Sequence, residues 1–347
     1  MKYFEIDKKS SATSRLAMPR RVSAISSLMA PRAGDVVVVR ALSESSTYGN
    51  LELPSGRLAK INSGDVLLGV LGKRRALKGF VGEIPDTVNA GDQLHLLNMG
   101  GLIGKCSGHH SSLTDAIEVE VLGAAVDETG LSMNIENGAL LPEDSLQCRA
   151  PIVLVAGSCM NSGKTVAAVE IIKQASQAGL RVAGAKLTGV ACLRDTLNME
   201  DHGAIATASF LDCGLPSTVD VANLPAVAKA ILNNLDQHDP DLIVAELGDG
   251  IIGGYGVDAI LKDQEITGAV QCLTYCAADY VGVVGGKAVL DALGIEIDVV
   301  AGSVTDSQMG EDFVRHEFGL AAGNARRNGR SLFELVRSLV NAEVAFA

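Results

Sequence analysis

The stretch Ile152-Val-Leu-Val-Ala-Gly157-Ser-Cys-Met-Asn-Ser-Gly163-Lys164-Thr165-Val166 leaves little choice of local structure. Five apolar residues, enough for a buried strand, run into a Gly/Ser-rich loop, and the loop runs into Gly-Lys-Thr at the head of a helical pattern. The helix expected over 165–178 carries Ala168, Ile171, Ile172 and Ala175 on one face and stops at Gly179. A tight turn between strand and helix can aim backbone N–H groups at one point, and Gly157 and Gly163 allow that approach. Anions also gain from the helix dipole and from a mobile cation, here Lys164. Thr165 adds a hydroxyl able to ligate Mg²⁺. The remaining loop positions, Ser158, Asn161, Ser162 and Val166, complete the expected phosphate cradle. Five residues, not four, separate Gly157 from Gly163, so Ser158 stands at the commoner first-glycine position. A chance Gly-Lys-Thr in an ordinary turn is the competing reading. The strand before and the helix after are the context that decides for a phosphate loop.

Beyond Pro151 strands and helices alternate, which implies an α/β fold: a P-loop NTPase-like parallel sheet with helices on both faces, over 151–347. Strands are expected at Arg181–Ala185, Ser217–Val219, Asp241–Glu246 and Ile297–Ala301, with two more within 269–284. Helices are expected near 202–212, at 223–236 and 287–293, and a closing helix opens on the capping box Ser331–Glu334.

Before Pro151 the texture differs. From 34 to 127, short apolar runs (Val36–Val39, Val66–Val70, Leu94–Leu97, Ile117–Leu122) are cut by Ser-Gly and Ala-Gly-Asp turns, which suggests a smaller, mainly-β, barrel-like domain. Residues 128–150 read as a linker. Residues 1–33 hold seven Lys/Arg and two Asp/Glu, net +5, leaving −17 for the rest of a chain of net charge −12. They read as a basic arm, partly disordered or capping a domain; Glu5 and Asp7 argue against a transit peptide.

An acidic chain with 3% aromatic residues and no Trp is a poor match for nucleic acid or an anionic membrane. No membrane span is expected: the low-charge stretch 268–286 contains Asp279 and is bounded by glycines. Seven cysteines, an odd number with no CxxC, read as reduced thiols of a cytoplasmic protein.

Ligands of open parallel sheets gather at the carboxyl ends of the strands. Besides the loop, those ends deliver Lys186 with Thr188-Gly189, and Glu246 followed by Gly248-Asp249-Gly250. Glu246 suits a magnesium role, and Lys186 could stabilise a transferring phosphoryl group; a capping acid and a solvated lysine are the plainer readings. The polar segment Arg194–Gly203 contains Asp201, either a second carboxylate on the metal side or the N-cap of the helix after it. Thr188 and Asp249 are candidate substrate contacts. His202 is a lone histidine in a polar loop. His109 and His110, adjacent on a strand, would point to opposite faces and make a poor chelating pair.

Gly157-Ser-Cys-Met-Asn-Ser-Gly163-Lys164-Thr165 resembles the loop of dethiobiotin synthetase and its relatives in the SIMIBI class. Val182-Ala-Gly-Ala-Lys186 is similar to their second strand, and Asp241–Glu246 with Gly-Asp-Gly to their Val-Glu-Gly-x-Gly segment. Cys159 stands where that family has its loop aspartate, and no match to its diaminononanoate site is present. Thr188-Gly189, Asp201 and Glu246-Leu-Gly248 also resemble the P-loop domain of D-glutamate N-acetyltransferases, whose N-terminal domain is Rossmann-like, unlike this one. The resemblance, confined to about 151–340, implies an ATP- or GTP- and Mg²⁺-dependent enzyme that activates a small substrate by phosphoryl transfer, ligase- or kinase-like. Lys164 and Lys186 would be catalytic, with Thr165, Glu246 and Asp201 around the metal. An N-acyltransferase binding coenzyme A and a regulatory or metallochaperone-type NTPase remain alternatives. A homodimer is left open.

Overall fold

The computed structural model describes residues 1–45 and 47–340; the last seven positions of the domain expected to end at 347 lie outside them. Two compact units divide the chain. The first is Met1–Leu140 with Val190–Arg194 and Phe210–Val219; the second is Leu141–Gly189, Asp195–Ser209 and the chain from Asp220 onward.

In the first unit the β-branched run Val36–Ala41 lies between Val66–Leu71 and Glu118–Val126, antiparallel to both. Val66–Leu71 pairs in parallel with Leu102–His109, which pairs with Gln93–Leu96, which pairs back onto Glu118–Val126. The ladders of these five strands therefore close on themselves, leaving no free edge within the circuit. Val37, Val39, Leu67, Leu96, Ile103, Val119 and Val121 fill its core.

Residues 1–33 are not a detached arm. Lys2–Glu5 pairs with Arg21–Ile25, which pairs with Glu118–Val126. Val22 and Ala24 point inward while Arg21, Ser23 and Ile25 do not, so the segment is held by a two-residue alternation that the flanking charges mask. Three of its basic residues have acid partners: Lys8 pairs with Asp65, Arg15 with Asp212 at 2.8 Å, and Arg32 with Glu136 at 3.8 Å. The expected linker divides between the units. Asn134 donates to Ala33 O (3.0 Å) and Asp35 Oδ1 (2.9 Å) in the first. In the second, the amides of Gln147 and Ala150 donate to Asn233 Oδ1 (2.7 Å) and Asp236 Oδ1 (2.9 Å).

The second unit is an α/β layer built on a seven-stranded, all-parallel sheet. Its strands lie in the order Ala204–Ser209, Val182–Thr188, Leu242–Leu247, Ile152–Gly157, Val270–Cys276, Val299–Ala301, Ala321–Ala322. The loop strand is thus central, buried between the strand that carries Glu246 and the strand that ends in Cys276. Helices Lys164–Gln177 and Ala325–Leu339 pack Ile171, Ile172, Leu332 and Val336 onto Val153, Val155 and Val244. Among the described residues no helix is long and apolar enough to cross a membrane.

Four local expectations change. The helix expected near 202–212 is the strand Ala204–Ser209, and the helix lies earlier, at Arg194–Asp201. Ser217–Val219 is not a strand; Ser217 makes an isolated bridge to Val190. The second strand expected within 269–284 is replaced by the helix Tyr280–Asp291, whose cap Asp279 accepts from Gly282 N at 2.7 Å. The closing helix starts at Ala325, capped by Asn324, and kinks at Asn328, whose side chain accepts from Ser331 N at 3.1 Å.

Candidate functional site

Strand Ile152–Gly157 ends at a residue that tolerates no side chain. A Cβ on Gly157 would meet Cys276 O and Ser162 Oγ at 2.6 Å and Lys164 Cγ at 2.9 Å. The chain then turns through left-handed conformations at Asn161 (φ 65°) and Gly163 (φ 104°), and a Cβ on Gly163 would stand 2.9 Å from Gly302 Cα. Helix Lys164–Gln177 begins at once. The Ser158 amide is taken by Cys276 O (2.9 Å) and the Ser162 amide by Cys159 O (3.3 Å), so these two amides face protein acceptors. The amides of Asn161, Gly163, Lys164, Thr165 and Val166 have no protein acceptor among the described residues. Those of 163–166 are the unpaired donors of a helix N-terminus, where anions are favoured. Ser158 Oγ accepts from Ala278 N at 3.1 Å, tying the loop to the chain after strand Val270–Cys276.

Lys164 is 5% exposed and folds back over the loop, donating to Cys159 O at 2.8 Å. Burial lowers its pKa, and the attraction of Glu246 only partly offsets that. Thr165 Oγ1 donates to Glu246 Oε1 at 3.0 Å. Glu246, 1% exposed at the end of its strand, receives on the same oxygen the ammonium of Lys186 at 2.7 Å. Lys186 also pairs with Asp195 Oδ2 at 2.7 Å. Burial alone would depress Lys186; the carboxylates of Asp195 and Glu246 outweigh it and hold the ammonium well above the ordinary lysine value. Asp249, at φ 69°, is raised by burial, with Lys164 pulling the other way.

The residues suit a divalent cation. Glu246 Oε2 is buried with no partner among the described residues, and Oε1 already faces the Thr165 hydroxyl. Ser162 Oγ is likewise buried without a partner. Among the described residues no three His, Cys, Asp or Glu side chains cluster as a metal cage, so a cation here would rely on Thr165, Glu246 and ligand oxygens.

The structure brings together Gly157, Ser158, Asn161, Ser162, Gly163, Lys164, Thr165, Val166, Lys186, Thr188, Glu246 and Asp249. Thr188 is fully buried, and its hydroxyl donates to Gly248 O at 2.9 Å, which pins one strand end to another. Asp201 is not among them. It ends helix Arg194–Asp201, exposed, three residues before the amino end of strand Ala204–Ser209, and so lies at the opposite edge of the parallel sheet from the loop. Nor does it cap the helix expected after it, because that stretch is a strand. Asp195, in the first turn of the same helix, is the acid at the site; its nine-residue offset from Lys186 was the available signal. His202 bonds Asn198 O, and His109 and His110 have separate partners, Asp115 and Ser112.

A hollow borders the loop, lined by Gly163, Gly302, Asp306, Asn324 and Arg326. Asn324 Nδ2 donates to Asp306 Oδ1 at 2.9 Å, and Arg326 Nη1 lies 3.6 Å from Asp306 Oδ2.

No family model matches the chain, and no curated protein matches it. Among solved structures it is similar to chloroplast FtsY from Physcomitrella patens (13% identity, TM-score 0.38, covering 53% of this chain and 61% of that one). It is also similar to the signal recognition particle receptor FtsY from Elizabethkingia anophelis (13%, 0.38, 61% and 75%). A third is the 54 kDa signal recognition particle protein from Aeropyrum pernix in complex with GDP (16%, 0.38, 59% and 52%). The chain thus spans less than two thirds of the first and third of these. Likenesses of this size assign neither activity nor partner.

Proposed function

We propose that the second unit binds a nucleoside triphosphate with Mg²⁺ and activates a small substrate by phosphoryl transfer, in the manner of a ligase or kinase. The observation that carries this reading is the meeting of four groups beside an amide-lined turn: Lys164, Thr165, Lys186 and Glu246. The amides of 163–166 and the Lys164 ammonium bind phosphate oxygens, with Lys164 leaving Cys159 O to do so. Thr165 and Glu246 hold the divalent cation, which when bound supplies positive charge to those oxygens. Lys186 steadies charge on the group in transfer, a contribution of roughly 2–4 kcal/mol to the barrier if it resembles other preorganised donors.

The test is a titration of the full chain with mant-ATP, mant-GTP and acetyl-CoA, with and without Mg²⁺. Mg²⁺-dependent binding of one mant-nucleotide is expected. Binding of acetyl-CoA alone, indifferent to Mg²⁺, would replace phosphoryl transfer with acyl transfer.

A further inference from the structure

We propose that Lys186 and the divalent cation are alternative occupants of one oxygen, Glu246 Oε1, and that Asp195 is the positioning residue that keeps the displaced ammonium in the site. The proposal rests on the functional reading above and adds to it an order of events.

Glu246 Oε1 accepts from Thr165 Oγ1 at 3.0 Å and from Lys186 Nζ at 2.7 Å, so the hydroxyl and carboxylate that suit a metal already converge on a positive charge. One ammonium serves two carboxylates, buried Glu246 and partly exposed Asp195, each at 2.7 Å. The other oxygen, Glu246 Oε2, is buried with no partner among the described residues, which leaves attraction for further positive charge at this carboxylate. A divalent cation on Thr165 and Glu246 would stand within a few ångströms of the ammonium and repel it. The Lys186 side chain is only 12% exposed, so its movement is local. The ammonium therefore gives up Glu246, keeps Asp195, and turns its free N–H donors to the place where phosphate oxygens enter. Metal uptake and the release of Lys186 become one event, so the lysine faces the transferring group only when the metal is present. Without Asp195, the cation would have to expel the ammonium with no second carboxylate to receive it.

The experiment uses the full chain without nucleotide and Mn²⁺ as the probe, with free Mn²⁺ read by electron paramagnetic resonance. Lys186→Met leaves the two carboxylates without their internal cation and should bind Mn²⁺ at least about tenfold more tightly than the unaltered protein. Adding Glu246→Gln should abolish the gain. Asp195→Asn should bind Mn²⁺ more weakly than the unaltered protein. Lys186→Met should also melt earlier, and Mn²⁺ should restore its melting temperature more than it raises that of the unaltered chain. If Lys186→Met does not fold, Lys186→Gln, which keeps an N–H donor for the carboxylates, replaces it in the same comparison. A folded Lys186 variant with Mn²⁺ affinity equal to or below the unaltered protein's overturns the proposal, as does a gain that survives Glu246→Gln. Loss of mant-nucleotide binding by the unaltered chain would instead strike the functional reading and leave the Mn²⁺ comparison readable.

Discussion

Lys164→Ala isolates a charged contact that the phosphate cradle can make without rearranging its backbone. In the structure its ammonium, 5% exposed, spends a hydrogen bond on Cys159 O at 2.8 Å, a neutral acceptor. Phosphate binding exchanges that carbonyl for an anionic oxygen, and a hydrogen bond to a charged partner contributes about 1.5–3 kcal/mol. At ~1.4 kcal/mol per tenfold, alanine should weaken mant-nucleotide binding roughly 10- to 150-fold. The amides of 163–166 survive the substitution, so weakened rather than absent binding is expected, still dependent on Mg²⁺. Stability should change little. The lost bond to Cys159 O is worth about 1 kcal/mol, and burial already works against the charged lysine, which offsets part of the loss. Equilibrium fluorescence titration with a parallel urea melt measures both quantities. An affinity within about threefold of the unaltered protein's, in a variant that melts normally, would refute the assignment of Lys164 to phosphate.

Three further outcomes are expected. Gly163→Ala combines a φ of 104° with a Cβ 2.9 Å from Gly302 Cα, and should cost about 2–4 kcal/mol in a urea melt; a change below about 1 kcal/mol would mean that the turn relaxes freely. Asp201→Asn should leave the Mg²⁺ dependence of nucleotide binding unchanged; a shift like that of Glu246→Gln would return Asp201 to the site. Burial pushes the Cys272 and Cys276 thiols up to about 12 from 9.0, so they should resist iodoacetamide at pH 9 until the chain is unfolded. Because these pKa values are higher in the folded chain, their contribution to stability is complete below pH 9 and lost as pH rises from about 9 toward about 12; flat denaturation midpoints across that window would contradict the burial.

The loop, Lys186 and Glu246 were legible because each is local to a strand end. An apolar run followed by Gly-Ser and Gly-Lys-Thr needs no distant information, and parallel strands deliver their last residues to one edge. Asp195 was hidden because its place depends on where the next helix starts. Ala204-Ile-Ala-Thr-Ala-Ser looks helical by propensity, yet it pairs with Val182–Thr188 as the outer strand, and that tertiary pairing moves the helix eight residues earlier. The glycines at 282, 285 and 286 imitated turn signals between strands. Gly286 instead answers to packing, since a Cβ there would sit 2.0 Å from the Tyr275 hydroxyl. In the N-terminal segment, Lys and Arg outweighed a short inward alternation whose partner strand lies about a hundred residues away.

The first compact unit is not finished when its last strand is made. Asn98 Nδ2 donates to Ala191 O at 2.7 Å, the Ala191 amide donates to Pro216 O at 2.9 Å, and buried Glu52 accepts from the Leu193 amide at 2.7 Å. All these partners are translated after the loop strand and Lys186. A fragment cut at 140 would emerge with Glu52 and Asn98 short of these bonding partners. Expression trials that split the chain at 140 would remove Val190–Arg194 and Phe210–Val219 from the unit they belong to.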